Sequence, residues 1–260
     1  MRIIRYRTKT TPPTYGWVLE DEGTLKVGLI EGSPFEEFQR LEAKIPLEEV
    51  QILPPVLPKK IIGIGRNYIA HAKEHNAEVP KIPLIFLKPS SSVIAHGDSI
   101  ILPPLSKQVE HEAELVAVIG KKARSIDPNR SLDYVLGYTL GNDVTARDLQ
   151  NQDSQWTRAK GFDTFCPIGP WIKTDFDPAD AMVSCYVNGE MRQMASTRDM
   201  VFTVRQLVAY ISTIMTLEPG DLIFTGTPAG VSPLSPGDQV EVMIEGLGSL
   251  TNPVKEEEKY

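Results

Sequence analysis

The chain has four histidines, at positions 71, 75, 96 and 111. Two of the segments that hold them concentrate its chemistry. One is Arg66-Asn67-Tyr68-Ile69-Ala70-His71-Ala72-Lys73-Glu74-His75. The other is Glu110-His111-Glu112-Ala113-Glu114, which runs straight into Leu115-Val116-Ala117-Val118-Ile119. On a β-strand, residues two apart share a face, so Glu112 and Glu114 project together, on the side of Val116 and Val118. Two carboxylates driven into one half-buried face repel each other and lose hydration unless a cation lies between them. That pairing asks for a hard divalent metal bound through oxygen. Such sites want a further carboxylate, and Asp143, at the end of the apolar stretch Val135–Leu140, is the candidate. Its alternative use is as an N-cap for a helix over 145–150.

The His71 segment admits two chemical readings. His71 and Glu74 are three apart, on one helical face. A carboxylate there can fix the imidazole tautomer and stabilise its protonated form, which suits a general base for water. The string His71-Ala72-Lys73-Glu74-His75 also matches the H-x-x-E-H pattern of inverted zinc peptidases, with both histidines on zinc and Glu74 activating water. That reading leaves Glu112, Glu114 and Asp143 without a role. Gly63-Ile64-Gly65 begins like a dinucleotide loop, but Tyr68 stands at the third glycine position and excludes the fingerprint.

These residues need a scaffold, and the length of 260 residues allows one large domain, or a main domain with a small one. An apolar fraction of 41 % with 23 % charged residues is ordinary for a soluble enzyme. The net charge of −7 argues against a nucleic-acid partner. No basic amphipathic segment points to a membrane surface, and no apolar run nears the roughly 18 residues of a spanning helix. With no secretion signal and two cysteines, Cys166 and Cys185, in non-motif contexts, the chain reads as a cytoplasmic protein with reduced, buried thiols.

The early part alternates short β-like runs with turns, and Asp21-Glu22-Gly23 marks a hairpin. Leu53-Pro54-Pro55-Val56-Leu57-Pro58 is a stiff connector, which sets a boundary between residues 1–55, a small N-terminal domain, and a catalytic domain over 56–260. Residues 61–65 read as a buried strand and 67–77 as a helix stopped by Pro80. Strands follow at 84–88, around 94–101 and at 112–119, then a buried segment at 134–141. Asn188-Gly189 between strand-like flanks signals a second hairpin. The clearest helix is 204–215, with an apolar stripe and capping-box spacing between Thr203 and Gln206. Strands at 222–224 and 240–245 close the pattern. Many short strands and few helices predict a β-rich α+β fold.

At this point the motifs add up. Gly65-Arg66-Asn67-Tyr68 with His71 and Glu74, Phe86-Leu87-Lys88-Pro89, Glu112 with Glu114, Asn142 through Gln150, Lys160-Gly161-Phe162-Asp163, Val187-Asn188-Gly189-Glu190 and Leu217 through Val231 together resemble the fumarylacetoacetate hydrolase family. The resemblance runs in order over roughly 60–255 and is nearest to the acylpyruvase, oxaloacetate decarboxylase and 2-hydroxyhepta-2,4-diene-1,7-dioate isomerase branch. Residues 1–55 look like the small extra domain of some bacterial members.

The resemblance implies a mixed β-sheet roll, Mg²⁺ or Mn²⁺ on Glu112, Glu114 and Asp143, and a catalytic set of His71, Glu74 and Lys160. The founding hydrolase places a further aspartate where this chain has Gly65-Arg66-Asn67, so water or a substrate oxygen would complete the metal shell. Arg66, Tyr68, Lys88, Arg147, Gln150 and Thr227 would contact substrate, Thr227 by holding the substrate carboxylate, while His75, His96 and His111 would be structural. The implied substrate is a small 2-oxo acid, and the implied assembly a homodimer. The metal would stabilise an enolate formed when the C3–C4 bond of an acylpyruvate breaks, an effect worth several kcal/mol. His71 and Glu74 would deliver water. The same enolate also serves decarboxylation of oxaloacetate, or the isomerase and decarboxylase steps of homoprotocatechuate breakdown. A non-catalytic 2-oxo-acid-binding module is the alternative of a different class, and the intact His71, Glu74 and Lys160 speak against it.

Overall fold

In the computed structural model, which describes residues 1–258, strands outnumber helices throughout. The main sheet has twelve strands. Its path runs Phe38–Pro46, Thr24–Gly32, Thr14–Asp21, Arg2–Arg7, Cys166–Lys173, Val135–Asn142, Ala113–Ile119, Leu222–Phe224, Ile61–Gly65 and Leu84–Lys88. A second sheet of five strands orders Glu190–Ser196, Met182–Val187, Gln239–Ile244, Gly248–Glu256 and Ile100–Leu102. The β-rich α+β class is as predicted.

Both expected hairpins form on two-residue turns. Glu22 and Gly23 have φ of 47° and 79°, and Asn188 and Gly189 have 53° and 79°. Positive φ at both central residues is what matches turn twist to strand twist in a two-residue hairpin. The strands of 1–55 are continuous with the rest, because Arg2–Arg7 pairs antiparallel with Cys166–Lys173.

The strand Ala113–Ile119 is the centre of the molecule, and all seven of its residues are buried. Leu115, Ala117 and Ile119 face the larger core with the helix Val204–Ile214. Val116 and Val118 face a second core with Phe224 and Ile61. The half-buried face expected for Glu112 and Glu114 therefore belongs to a strand covered on both sides.

Several local expectations shift. The helix expected over 67–77 is only Ile69–Glu74 (α1), since Arg66 takes φ 58° and Tyr68 is extended. The strand expected around 94–101 is two pieces, Val93–Ile94 and Ile100–Leu102, paired in different sheets. The strand at 239–244 is followed by Gly248–Glu256, which the sequence pattern did not reveal; Pro253 and glycines blur its alternation. Helix Val204–Ile214 has the full capping box, with Thr203 accepting from the Gln206 amide and Gln206 reaching back to the Thr203 amide. Both cysteines are free and buried.

Candidate active site

The site lies where strand ends from the main sheet converge. Glu112 precedes the strand Ala113–Ile119 and Glu114 is its second residue, while Asp143 follows Val135–Asn142 on the neighbouring strand. The turn is pinned by two bonds: the Glu112 amide donates to Asn142 Oδ1 at 2.9 Å, and the Asp143 amide donates to the Glu112 carbonyl at 2.9 Å. One carboxylate oxygen from each of Glu112, Glu114 and Asp143 falls within a 4.8 Å cluster, and all three residues are buried. Asp143 caps no helix; the helix Arg147–Gln152 (α2) starts after Ala146.

Cations from three separate elements meet these acids. Lys160, at the end of the short helix Thr157–Lys160 (α3), donates to Glu112 Oε2 at 2.8 Å and to Asp143 Oδ2 at 2.6 Å. Lys88 donates to Asp143 Oδ1. Arg147 donates to Glu110 Oε2 at 2.7 Å, to Glu112 Oε1 and to Gln150. Burial alone would push the Glu112 carboxyl up, but Lys160 and Arg147 overcome it and hold Glu112 well below the usual carboxylate range. The Lys160 ammonium is likewise disfavoured by burial, yet Asp143 and Glu112 keep it charged.

Glu114 is the exception. Its carboxylate accepts the Gly226 amide at 2.7 Å, and no ion pair reaches it among the described residues. Burial first, then the Asp143 and Glu112 charges, push its carboxyl well above the usual range. Gly226 holds φ 100°, and a Cβ there would come 2.6 Å from the Asn67 Cβ, so this donor is tied to glycine. Asn67 itself bridges the loops, donating to Phe202 and Thr225 carbonyls at 2.9 and 2.7 Å.

The opposite wall is α1. His71 is buried, and Glu74 Oε2 lies 3.4 Å from its Nδ1, too loose to count as a hydrogen bond: Nδ1 has no partner. The hydrogen bond by which Glu74 would fix the imidazole tautomer is not formed. Burial outweighs the attraction of Glu112 and holds His71 down at about 4, so the ring is neutral at physiological pH. Glu74 accepts instead from the Gly230 amide at 3.1 Å. Between the two walls lies a cavity of about 310 Å³.

The cavity brings together His71, Glu74, Glu112, Glu114, Arg147, Gln150, Lys160, Thr227 and Arg66 of the residues expected from sequence. Tyr68 and Lys88, expected to touch substrate, do not line it: Tyr68 is buried under α1, and the Lys88 ammonium is taken up by Asp143. Thr227 lines it, but its hydroxyl proton goes to the Ala113 carbonyl at 2.9 Å while Gln193 donates to its oxygen at 2.8 Å. Sequence reading missed Trp156 and Phe86, packed edge-on with centroids 5.5 Å apart. Arg66 stacks 5.5 Å over the Trp156 ring, and Lys160 Nζ sits 5.0 Å over Phe86. Phe86, within the Phe86-Leu87-Lys88-Pro89 motif, lies on the strand Leu84–Lys88 and Trp156 at the N-cap of α3, and only the meeting of these distant elements marks the pair as part of the site. His75, expected to be structural, also lines the cavity. His111 is structural as expected, held between Gln193 and Ser232 at 3.0 and 2.9 Å.

Four buried carboxylates, Glu110, Glu112, Glu114 and Asp143, face three cations, Lys88, Lys160 and Arg147. The unmatched charge sits on the oxygen-only cluster of three, so the residues fit a hard divalent cation. A charge-dense, partly aromatic cavity with a neutral imidazole on one wall has the chemical make-up that acid–base chemistry uses.

Comparison with known proteins makes the class specific. The family model "Fumarylacetoacetate (FAA) hydrolase C-terminal" matches residues 60–255, and "Rv2993c-like, N-terminal" matches residues 1–55. An uncharacterised protein of Methanocaldococcus jannaschii is 56 % identical over 78 % of this chain and 86 % of its own. The rat protein "Oxaloacetate tautomerase Fahd2a, mitochondrial" is 46 % identical over 81 % of this chain and 71 % of its own. The crystal structure of 2-hydroxyhepta-2,4-diene-1,7-dioate isomerase from Mycobacterium marinum superimposes with a TM-score of 0.92 at 42 % identity, over 100 % of both chains. The chain belongs to the fumarylacetoacetate hydrolase family and is an enzyme of it. No helix among the described residues is long and apolar enough to cross a membrane.

Proposed function

We propose that this enzyme transfers a proton within a 2-oxo dicarboxylic acid, converting enol and keto or double-bond isomers through an enolate. The observation that carries the reading is the buried, neutral imidazole of His71 facing the carboxylate cluster across the cavity. A neutral ring can take a proton from the carbon beside the oxo group and return it to the enol oxygen, or the reverse. Lys160 has three N–H donors and directs two of them at Glu112 and Asp143. The third is available to the oxygen on which negative charge develops. Arg66 makes no ion pair among the described residues and lines the cavity over Trp156, which suits the far carboxylate of a dicarboxylic substrate. Glu112, Glu114 and Asp143 would hold Mg²⁺ or Mn²⁺, and the bound ion would supply Lewis-acid stabilisation of that same oxygen.

This reading departs from the acylpyruvate cleavage expected from sequence, because the tautomerase and isomerase relatives need no bond cleavage at C3. Cleavage stays as the second reading on one observation: Glu74 sits 3.4 Å from His71 Nδ1, where a carboxylate would steady an imidazolium that has just activated water. Decarboxylation of oxaloacetate would use the same oxygen stabilisation without either group. A homodimer belongs to the proposal and is supported by Met182, Met191, Met194 and Met243, left exposed on the five-stranded sheet. A cytoplasmic setting suits the two free thiols.

The deciding experiment follows enol-oxaloacetate and acetylpyruvate by NMR in D₂O with Mg²⁺. Fast enol–keto conversion with solvent deuterium at C3 and no pyruvate from acetylpyruvate supports the proposal. Pyruvate release at comparable rates makes the enzyme a hydrolase instead, and CO₂ evolution from oxaloacetate makes it a decarboxylase.

A further inference from the structure

The α1 wall carries a second histidine, His75 at the helix C-cap, that proton transfer does not use. Two of its ring nitrogens, His71 Nδ1 and His75 Nε2, are buried and have no hydrogen-bond partner. The rings stack edge to face with centroids 4.7 Å apart, and His71 as a whole is only 6 % exposed. One donor atom from each of His71, Glu74 and His75 lies within a 4.8 Å cluster. Burying an imidazole nitrogen with nothing to bond costs free energy, and a shared occupant would relieve both at once.

We infer that His71, Glu74 and His75 form a binding site for a transition-metal divalent ion, separate from the carboxylate cluster across the cavity. The donor set decides the class of ion. Two imidazoles and one carboxylate favour Zn²⁺, Co²⁺ or Ni²⁺ over Mg²⁺, which prefers oxygen throughout. An ion about 2.0–2.1 Å from each nitrogen brings its donors roughly 3–3.5 Å apart. Rotation of His75 and Glu74, both incompletely buried, supplies that closure, while His71 stays fixed by the core. The residues fall on one side of a single helical turn because they are spaced three and four apart. The spacing is that of H-x-x-E-H, here without peptidase chemistry. The cavity thus offers a nitrogen-rich pole and an oxygen-only pole, with different metal preferences. Where His71 is the base proposed above, an ion at the nitrogen pole takes its lone pair and stops turnover; binding itself does not depend on that reading.

The test uses the full-length protein with Mg²⁺ in saturating excess, so that the oxygen pole is occupied. Equilibrium dialysis counts bound Zn²⁺, and Co²⁺ reports the ligand set through its visible absorption. The expected result is one Zn²⁺ per chain under Mg²⁺, retained in Glu114→Gln. In His75→Ala affinity falls by more than the roughly 10–100-fold typical of losing an outer-shell partner, and the Co²⁺ band disappears. His75 is half-buried, so this variant should fold, and circular dichroism checks it. Zn²⁺ binding that is absent under Mg²⁺, as it would be if ordered water serves these nitrogens, overturns the inference. So does binding that is lost in Glu114→Gln and unchanged in His75→Ala. Zn²⁺ binding at the predicted residues without inhibition keeps the site and removes His71 from the reaction, so the two readings fail separately.

Discussion

The two walls of the cavity are built on opposite principles. On the sheet side, Glu112 and Asp143 are saturated by Lys160, Lys88 and Arg147, and their backbones are locked to one another. On the helix side, α1 is six residues long, its N-cap Tyr68 makes no side-chain cap bond, and His71 within it and His75 at its C-cap each leave a ring nitrogen without a partner. The sheet wall holds charge fixed in place by its own ion pairs. The helix wall holds free lone pairs, which is what a base or a soft-metal ligand needs. Fixed charge gathers where strand ends meet the helices α2 and α3; free lone pairs sit on a short element with few bonds to break.

Glu114 is where the sheet wall departs from its own rule, and removing it should have the largest effect. Glu114→Ala is expected to abolish metal-dependent turnover, a loss of about 4 kcal/mol or roughly 10³-fold, while circular dichroism and the thermal midpoint stay near those of the parent. Turnover that survives would break the assignment of Glu114 to the cation. Replacing the helix-wall base, His71→Asn, should lower kcat by about 10², the lower end of general-base effects, and leave Mg²⁺ affinity measured by calorimetry nearly unchanged. In the parent, kcat/KM should hold from neutrality down toward pH 5 and fall as His71 takes a proton at about 4. Because that value is depressed below the ordinary histidine value of about 6.5, the unfolded chain binds the proton first. Protonation of His71 therefore opposes folding, and stability should fall as pH drops from about 6.5 through 4.

Lys160→Met sharpens the contrast from the stability side. It leaves Glu112 and Asp143 facing each other with fewer cations, and should cost about 3–5 kcal/mol in urea unfolding. Added Mg²⁺ should restore part of this, since a ligand of the native state stabilises it by mass action. Equal loss with and without Mg²⁺ would argue that the ion does not sit among these carboxylates. Far from both walls, Thr203→Ala should remove one capping bond from Val204–Ile214 for only about 1 kcal/mol, which sets the scale of an ordinary local contact.

How far these features are legible in the sequence varies with their range. The two hairpins, the capped helix after Thr203 and the in-facing pair Glu112 and Glu114 are carried by short-range signals: a dipeptide, a three-residue spacing, a period of two. Those signals act through backbone dihedrals and neighbouring side chains, so they survive into the fold. Gly248–Glu256 was invisible for the complementary reason, its pairing with Gln239–Ile244 and Ile100–Leu102 being set by partners and not by its own alternation.

By itself the sequence determined which groups are present, which of them share a local face, and, through a run of motifs in order, the family. Only the tertiary structure decided what each group does. Lys88, Arg147 and Lys160 reach one cluster of acids from three elements, Lys88 pairing with Asp143 and lying outside the cavity lining. Burial, which no local pattern reports, leaves His71 neutral and pushes Glu114 up while Glu112 is held down. Ionisation depends on the desolvation and charges that surround a group in space, and those arrive from residues far apart along the chain.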